Sequence, residues 1–248
     1  MPPPVFALFV DVMGVQQDLL STGAHATARF DRCRERLEDF RRDLFVLINQ
    51  QLPMLLLRSH VPEPHFVAEF SDSAYIVGDR LASVAVPAIY LMRQALRHRY
   101  PLRGGMGFGT FSHESSGVRA NQDRQVWTTS SFLGGAIVTA YQAERTATPG
   151  LRIFVHPTVA EASKSERYWE NFAIPLPDAE ANTDSTHELR VWLDIEADAA
   201  AMQLRDFRDR QALPDRPKRH YDAALAAYER FASFKEGLPF LTPALWLD

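Results

Sequence analysis

Residues 5–14, VFALFVDVMG, are an apolar run that ends on a carboxylate. Val5 to Val12 is continuous, rich in Val and Phe, and bounded by Pro4 and Gly14, which predicts a fully buried strand. Asp11 sits at its end. A carboxylate there is costly unless something cationic compensates it. A second aspartate, Asp72, lies in the turn between His65–Phe70 and Ala74–Val77, two stretches that read as a β-hairpin. Two carboxylates on strands that can lie side by side suggest a divalent-metal site at the sheet's edge. Each also has a plainer reading, Asp11 as a helix cap and Asp72 as an Asx-turn within Ser71-Asp72-Ser73.

Working outward, Phe30, Cys33, Leu37, Phe40, Leu44 and Leu47 recur at spacings of three and four, an amphipathic helix with a seam for a partner. Val84–Arg97 reads as a second helix that tolerates Pro87 near its start. Leu102–Phe111, LRGGMGFGTF, is a strand whose glycines require that another backbone or a ligand approach closely. Ser112–Gln125 is polar and reads as a loop or flexible hairpin arm, and Phe132–Thr146 as a helix with the stripe Ile137, Val138 and Tyr141 facing the sheet or a second protomer. Glu144 and Arg145 are expected to face solvent. Leu151–His156 is a further strand.

The resulting order suits an α+β sandwich, with helices on one face of a mainly antiparallel sheet. Beyond residue 165 the pattern weakens. Trp169–Phe172 and His187–Leu193 read as edge strands, and Ile195–Gln211 and Arg219–Lys235 as terminal helices. The organisation expected is a catalytic domain over 1–195 and a helical extension over 196–248.

Composition narrows the field. Hydrophobic residues make up 46% and charged residues 23%, as in ordinary globular proteins, and the net charge of −4 gives no reason to expect nucleic-acid binding. The lone Cys33 excludes an intrachain disulfide and fits a reducing compartment. No apolar segment is long enough to span a bilayer, and the first residues make a poor signal peptide. A cytoplasmic protein with no membrane partner is the expectation.

Taken in order, four elements resemble the catalytic domain of class III nucleotidyl cyclases, a ferredoxin-like α+β fold. FVDVMG matches the family's F-x-D-x-x-G through Phe9, Asp11 and Gly14. FSDSAYIVGD supplies the hairpin aspartate, Asp72. Arg103, Gly105 and Gly109 match R-x-G-x-x-x-G, and Gly134, Ala140 and Glu144 match G-x-x-V-N-x-A-x-R-x-E. The resemblance spans roughly residues 5–165. It departs at the family's transition-state asparagine and arginine, which fall on Val138 and Gln142. The base-reading positions fall on Ala68 and Ser131. Charged purine discriminators are thus missing while both metal aspartates remain. That combination, with FLGGAIVTAYQAE at 132–144, resembles the pyrimidine cyclases of Pycsar antiphage systems, whose cyclic UMP or cyclic CMP activates a separate cell-killing effector.

The resemblance implies two Mn²⁺ or Mg²⁺ ions on Asp11, Asp72 and the Val12 carbonyl. It places Phe9 at the nucleotide, and the amides of Met13, Gly14 and Val15 around the β- and γ-phosphates. Ser131 would meet the pyrimidine edge, and Arg103 or Arg145 would supply transition-state charge. It further implies a homodimer with composite sites and UTP as substrate, with CTP the alternative. A purine cyclase and a non-catalytic dimerisation module are the rival readings. A diguanylate-cyclase relative fits less well, because Ser71-Asp72-Ser73 stands where a GG[DE][DE]F turn is required.

Overall fold

A computed structural model describes residues 3–20, 22, 26–54, 64–119, 126–146, 150–164, 169–192, 194–210 and 215–232. Among these, seven strands form one sheet in the order β2-β3-β1-β4-β7-β9-β8. The strands are β1 (Pro4–Val12), β2 (Phe66–Glu69), β3 (Ser73–Gly78), β4 (Leu102–Thr110), β7 (Ile153–Val155), β8 (Ala173–Pro175) and β9 (His187–Leu189). Every pairing is antiparallel except β4 with β7. This is the mainly antiparallel α+β architecture the sequence predicts, with β1 central as its unbroken apolar run requires.

Alternation along β1 divides the interior in two. Phe6, Leu8, Val10 and Val12 point into the main core, with side chains of α2 (Ala26–Val46), α3 (Ala82–Arg97), α7 (Asp194–Arg210) and α8 (Asp215–Ala232). Val5, Ala7 and Phe9 point the other way, to a smaller cluster with Ala136 and Ala140 of α4 (Gly135–Glu144). Helices therefore cover both faces rather than one. The terminal helices join the main core through Leu204, Phe207, Tyr221, Leu225 and Tyr228. Residues 233–248 of the expected extension lie outside the described residues.

The glycines of β4 explain how α4 reaches its face. A Cβ on Gly105 would stand 2.2 Å from the Ala140 carbonyl, and one on Gly107 2.3 Å from the Ala140 amide. Successive small residues on the strand thus meet Ala136, Ala140 and Ala143 on the helix, backbone against backbone. Of the stripe expected to face the sheet or a second protomer, Ile137 packs on the smaller cluster, while Val138 and Tyr141 are 54% and 43% exposed.

The polar stretch takes the second of its two expected forms, a hairpin arm, and two other local details differ. Ser112–Arg119 and Val126–Leu133 form β5 and β6, a two-stranded antiparallel arm outside the main sheet. Residues 120–125 of the polar stretch lie outside the described residues. Phe132 and Leu133 end β6 rather than open the helix, because Gly134 (φ 150°) makes a break only glycine tolerates. Trp169–Phe172 is a helical turn, α6, and the strand follows at β8. A short α5 (Pro157–Ser163) and α1 (Val15–Leu19) complete the set. Among the described residues no helix is long and apolar enough to cross a membrane.

Buried polar groups tie α2 to the end of α3. Asp43, 3% exposed, accepts from the Tyr100 hydroxyl at 2.9 Å and contacts His98 Nδ1 at 2.8 Å. Tyr100→Phe removes a donor to a buried carboxylate and should cost about 2 kcal/mol in urea unfolding.

Candidate active site

The register of three strands assembles the site. Asp11 pairs with Ser73 on one side and Arg103 on the other, and the Val12 amide donates to the Asp72 carbonyl at 2.8 Å. Both aspartates therefore sit at adjoining strand ends, as the sequence suggests. The Asp72 turn is tightly held. Phe70 N–H donates to the Ser73 carbonyl at 2.8 Å, and Ser71 Oγ donates to Asp72 Oδ1 at 2.9 Å. Arg41 on α2 braces the turn from outside, with Nε 2.9 Å from Glu69 and Nη2 3.3 Å from the Ser71 carbonyl.

By strand alternation Asp11 lies on the α4 face, in line with Phe9. Phe9 packs between Tyr75 (4.7 Å) and Tyr141 (5.5 Å), an aromatic cluster on the same face of the sheet. Burial, followed by the charges of Glu144 and Asp72, pushes the Asp11 carboxyl up to about 7 against the pull of Arg145 and Arg103.

Glu144 was expected at the surface but is buried, 8% exposed, and burial raises its carboxyl against the nearby Arg103 and Arg145. The missed signal was its place in the helix turn facing the β4 glycines, one residue beyond Ala143. Arg145 is exposed as expected and lies over the Tyr141 ring at 5.7 Å.

The resemblance offers Arg103 or Arg145 as the source of transition-state charge, and the two are placed differently. Arg103 is 5% exposed, and its guanidinium donates to the carbonyls of Glu144 (2.8 Å) and Thr146 (2.7 Å) at the end of α4. Burial brings it down to about 10, with Glu144 opposing and Arg152 reinforcing that shift. The free carbonyls of a helix terminus and a buried glutamate explain why an arginine is held here.

After β1 the chain turns through Gly14 in the left-handed region (φ 86°) into α1. The Met13 amide is engaged by the Pro101 carbonyl at 2.9 Å, which takes it out of the expected phosphate cradle. The Gly14 carbonyl starts α1 by accepting from Asp18 at 2.9 Å, and Asp18 is held to α2 by Arg36 at 3.0 Å. Val15 is the first residue of that helix, where amides lack an intrahelical acceptor.

Ser131 occupies an exposed position of β6, opposite Glu114 in the arm, rather than on the sheet that carries the aspartates. Ala68 lies opposite Tyr75 on β2, in step with Phe66 and Phe70. Val138 and Gln142 both face outward from α4.

The donor set fits a hard divalent cation. Among the described residues no three His, Cys, Asp or Glu side chains form a closed metal cluster. Two carboxylates at a polar edge suit an ion that completes its shell with water, a main-chain carbonyl and substrate phosphates.

No protein-family model and no curated protein matches the chain. Solved structures do. The guanylyl cyclase Cya2 is 12% identical over 75% of this chain and 89% of its own, with a TM-score of 0.35. The guanylate cyclase domain of RhGC from Catenaria anguillulae, in complex with GTP, is 14% identical over 75% and 93%, with a TM-score of 0.36. A class III adenylyl cyclase-like ATP-binding protein from Pseudomonas aeruginosa is 12% identical over 92% and 43%, with a TM-score of 0.33. Likeness this distant carries no argument about activity.

Proposed function

We propose that the chain is a nucleotidyl cyclase acting on a pyrimidine nucleoside triphosphate, UTP being the preferred substrate, and releasing 3′,5′-cyclic UMP and pyrophosphate. The observation that carries this reading is the meeting of Asp11 and Asp72 at adjoining strand ends, with Asp11 on the face that carries Glu144 and Arg145. Asp11, Asp72 and the Val12 carbonyl would hold two Mn²⁺ or Mg²⁺ ions, which supply Lewis acidity for the ribose hydroxyl and the triphosphate. Gly14 and Val15 would turn the chain beside the phosphates, and Arg145 is an exposed cation whose charge acts on Asp11. Arg103 acts behind the site, fixing the end of α4. Phe9, packed on Tyr75 and Tyr141, would lie beside the nucleotide.

The outward positions of Val138, Gln142 and Tyr141 support a homodimer with composite sites, in which α4 and the arm face a second copy. Ser131, with Ala68 in place of a charged discriminator, favours a pyrimidine edge. The product would then activate a separate effector in antiphage defence.

Calorimetry separates this reading from a non-catalytic dimerisation module. A non-cyclisable UTP analogue with Mn²⁺ should bind, and Asp72→Ala should weaken that binding at least about tenfold by removing an anionic ligand. No Mn²⁺-dependent binding would favour the module.

A further inference from the structure

We infer that the C-terminal helix α8 braces the candidate site from behind, with Arg230 and Glu188 positioning the end of α4 that carries Glu144 and Arg145; the value of that position to catalysis rests on the functional reading above. The chain of contacts is continuous. Glu188 is fully buried, and its carboxylate is shared by Arg152 at 3.0 Å and by Arg230 of α8. Arg152 also pairs with Glu180 at 2.6 Å, and its guanidinium lies over the Phe154 ring at 5.0 Å. The same ring takes Arg103 at 4.7 Å.

Arg103 is the group that receives the last carbonyls of α4, where intrahelical partners run out. The Thr146 hydroxyl is held in turn by Asn182 Nδ2 at 2.6 Å. A second link runs from α8 to the chain just after this helix end, the Gly150 amide donating to His220 Nδ1 at 3.1 Å. Two guanidiniums sharing one ring repel each other, and their placement depends on the carboxylates that divide them. Removing the Arg230 charge leaves Glu188 to Arg152 alone and changes how Arg152 is shared with Glu180. That displacement reaches the helix end through Phe154 and Arg103.

Hydrogen exchange on the full chain, without nucleotide, tests this. Arg230→Met should speed exchange of amides 141–146 about tenfold as well as those of α8, leave α3 unchanged, and be largely reversed in Arg230→Lys. Arg230→Gln, which keeps a donor toward Glu188 but not the charge, should speed the same 141–146 amides and serves if Arg230→Met does not fold. Faster exchange in α8 with 141–146 unaltered would reduce the network to an anchor and overturn the inference. Equal acceleration in α3 would mark general loosening and overturn it too. Because no nucleotide is present, the inference is tested even if the chain cyclises nothing, and a turnover assay on the same samples tests the functional reading separately.

Discussion

Asp11→Asn is expected to abolish nucleotide cyclisation and, at the same time, to make the metal-free protein more stable. Loss of a carboxylate that holds a Lewis acid should lower the rate by about a thousandfold or more. The gain in stability follows from the environment of Asp11. Its carboxyl titrates near 7 when folded, against an ordinary value of 3.8, because burial and the Glu144 and Asp72 charges penalise its anion. Between those two pH values the folded chain keeps a proton that the unfolded chain has released. Stability therefore falls as pH rises through that window, and the full cost is present above pH 7. Asparagine carries no charge to penalise. Thermal melts at pH 8 in chelator should show the variant more stable by on the order of 1–3 kcal/mol, after allowance for part exposure. Mn²⁺ should raise the melting temperature of the wild type and not of the variant. A variant less stable than wild type at pH 8 would contradict the electrostatics described for this site.

The second large effect is structural. Gly107→Val should destabilise the chain by about 3 kcal/mol or more, which corresponds to a fall in Tm of roughly 10 °C. Its first side-chain atom would stand 2.3 Å from the Ala140 amide and 2.6 Å from the Ala136 carbonyl, both helix backbone that cannot rotate away. Relief requires α4 to lift from the sheet, which carries Glu144 and Arg145 away from Asp11. Gly14→Ala provides the contrast. A Cβ there meets nothing within 4 Å, so only the φ of 86° opposes it. That substitution should cost about 1–2 kcal/mol. Comparable losses in the two variants would show that close packing of β4 against α4 is not what the glycines serve.

Much of this is legible in the sequence. The β1 run, the Asp72 hairpin and the glycine strand each carry a local pattern that survives in the fold, and together they place both aspartates on adjacent strand ends. What was not legible depends on neighbours distant in sequence. An arginine at a strand start is ordinarily a surface residue, and the arrival of the α4 terminus buries Arg103. The arm strands β5 and β6 pair with each other rather than with the main sheet, so their polar sequence leaves loop and hairpin arm equally open. Tyr141 and Val138 look like core by spacing, but Ala136, Ala140 and Ala143 displace them, since a glycine strand admits only small side chains. Glu144 reads as a solvent residue until Arg103 pairs with it at 3.5 Å. The terminal helices show an apolar stripe in sequence, and the stripe alone does not say which surface it covers.

The most direct measurement is turnover with each of the four nucleoside triphosphates and Mn²⁺, products resolved by chromatography. Cyclic UMP should form from UTP, with less or no product from CTP, ATP or GTP, and Asp11→Asn and Asp72→Ala should form none while remaining folded. No cyclic nucleotide from any of the four would contradict the assignment.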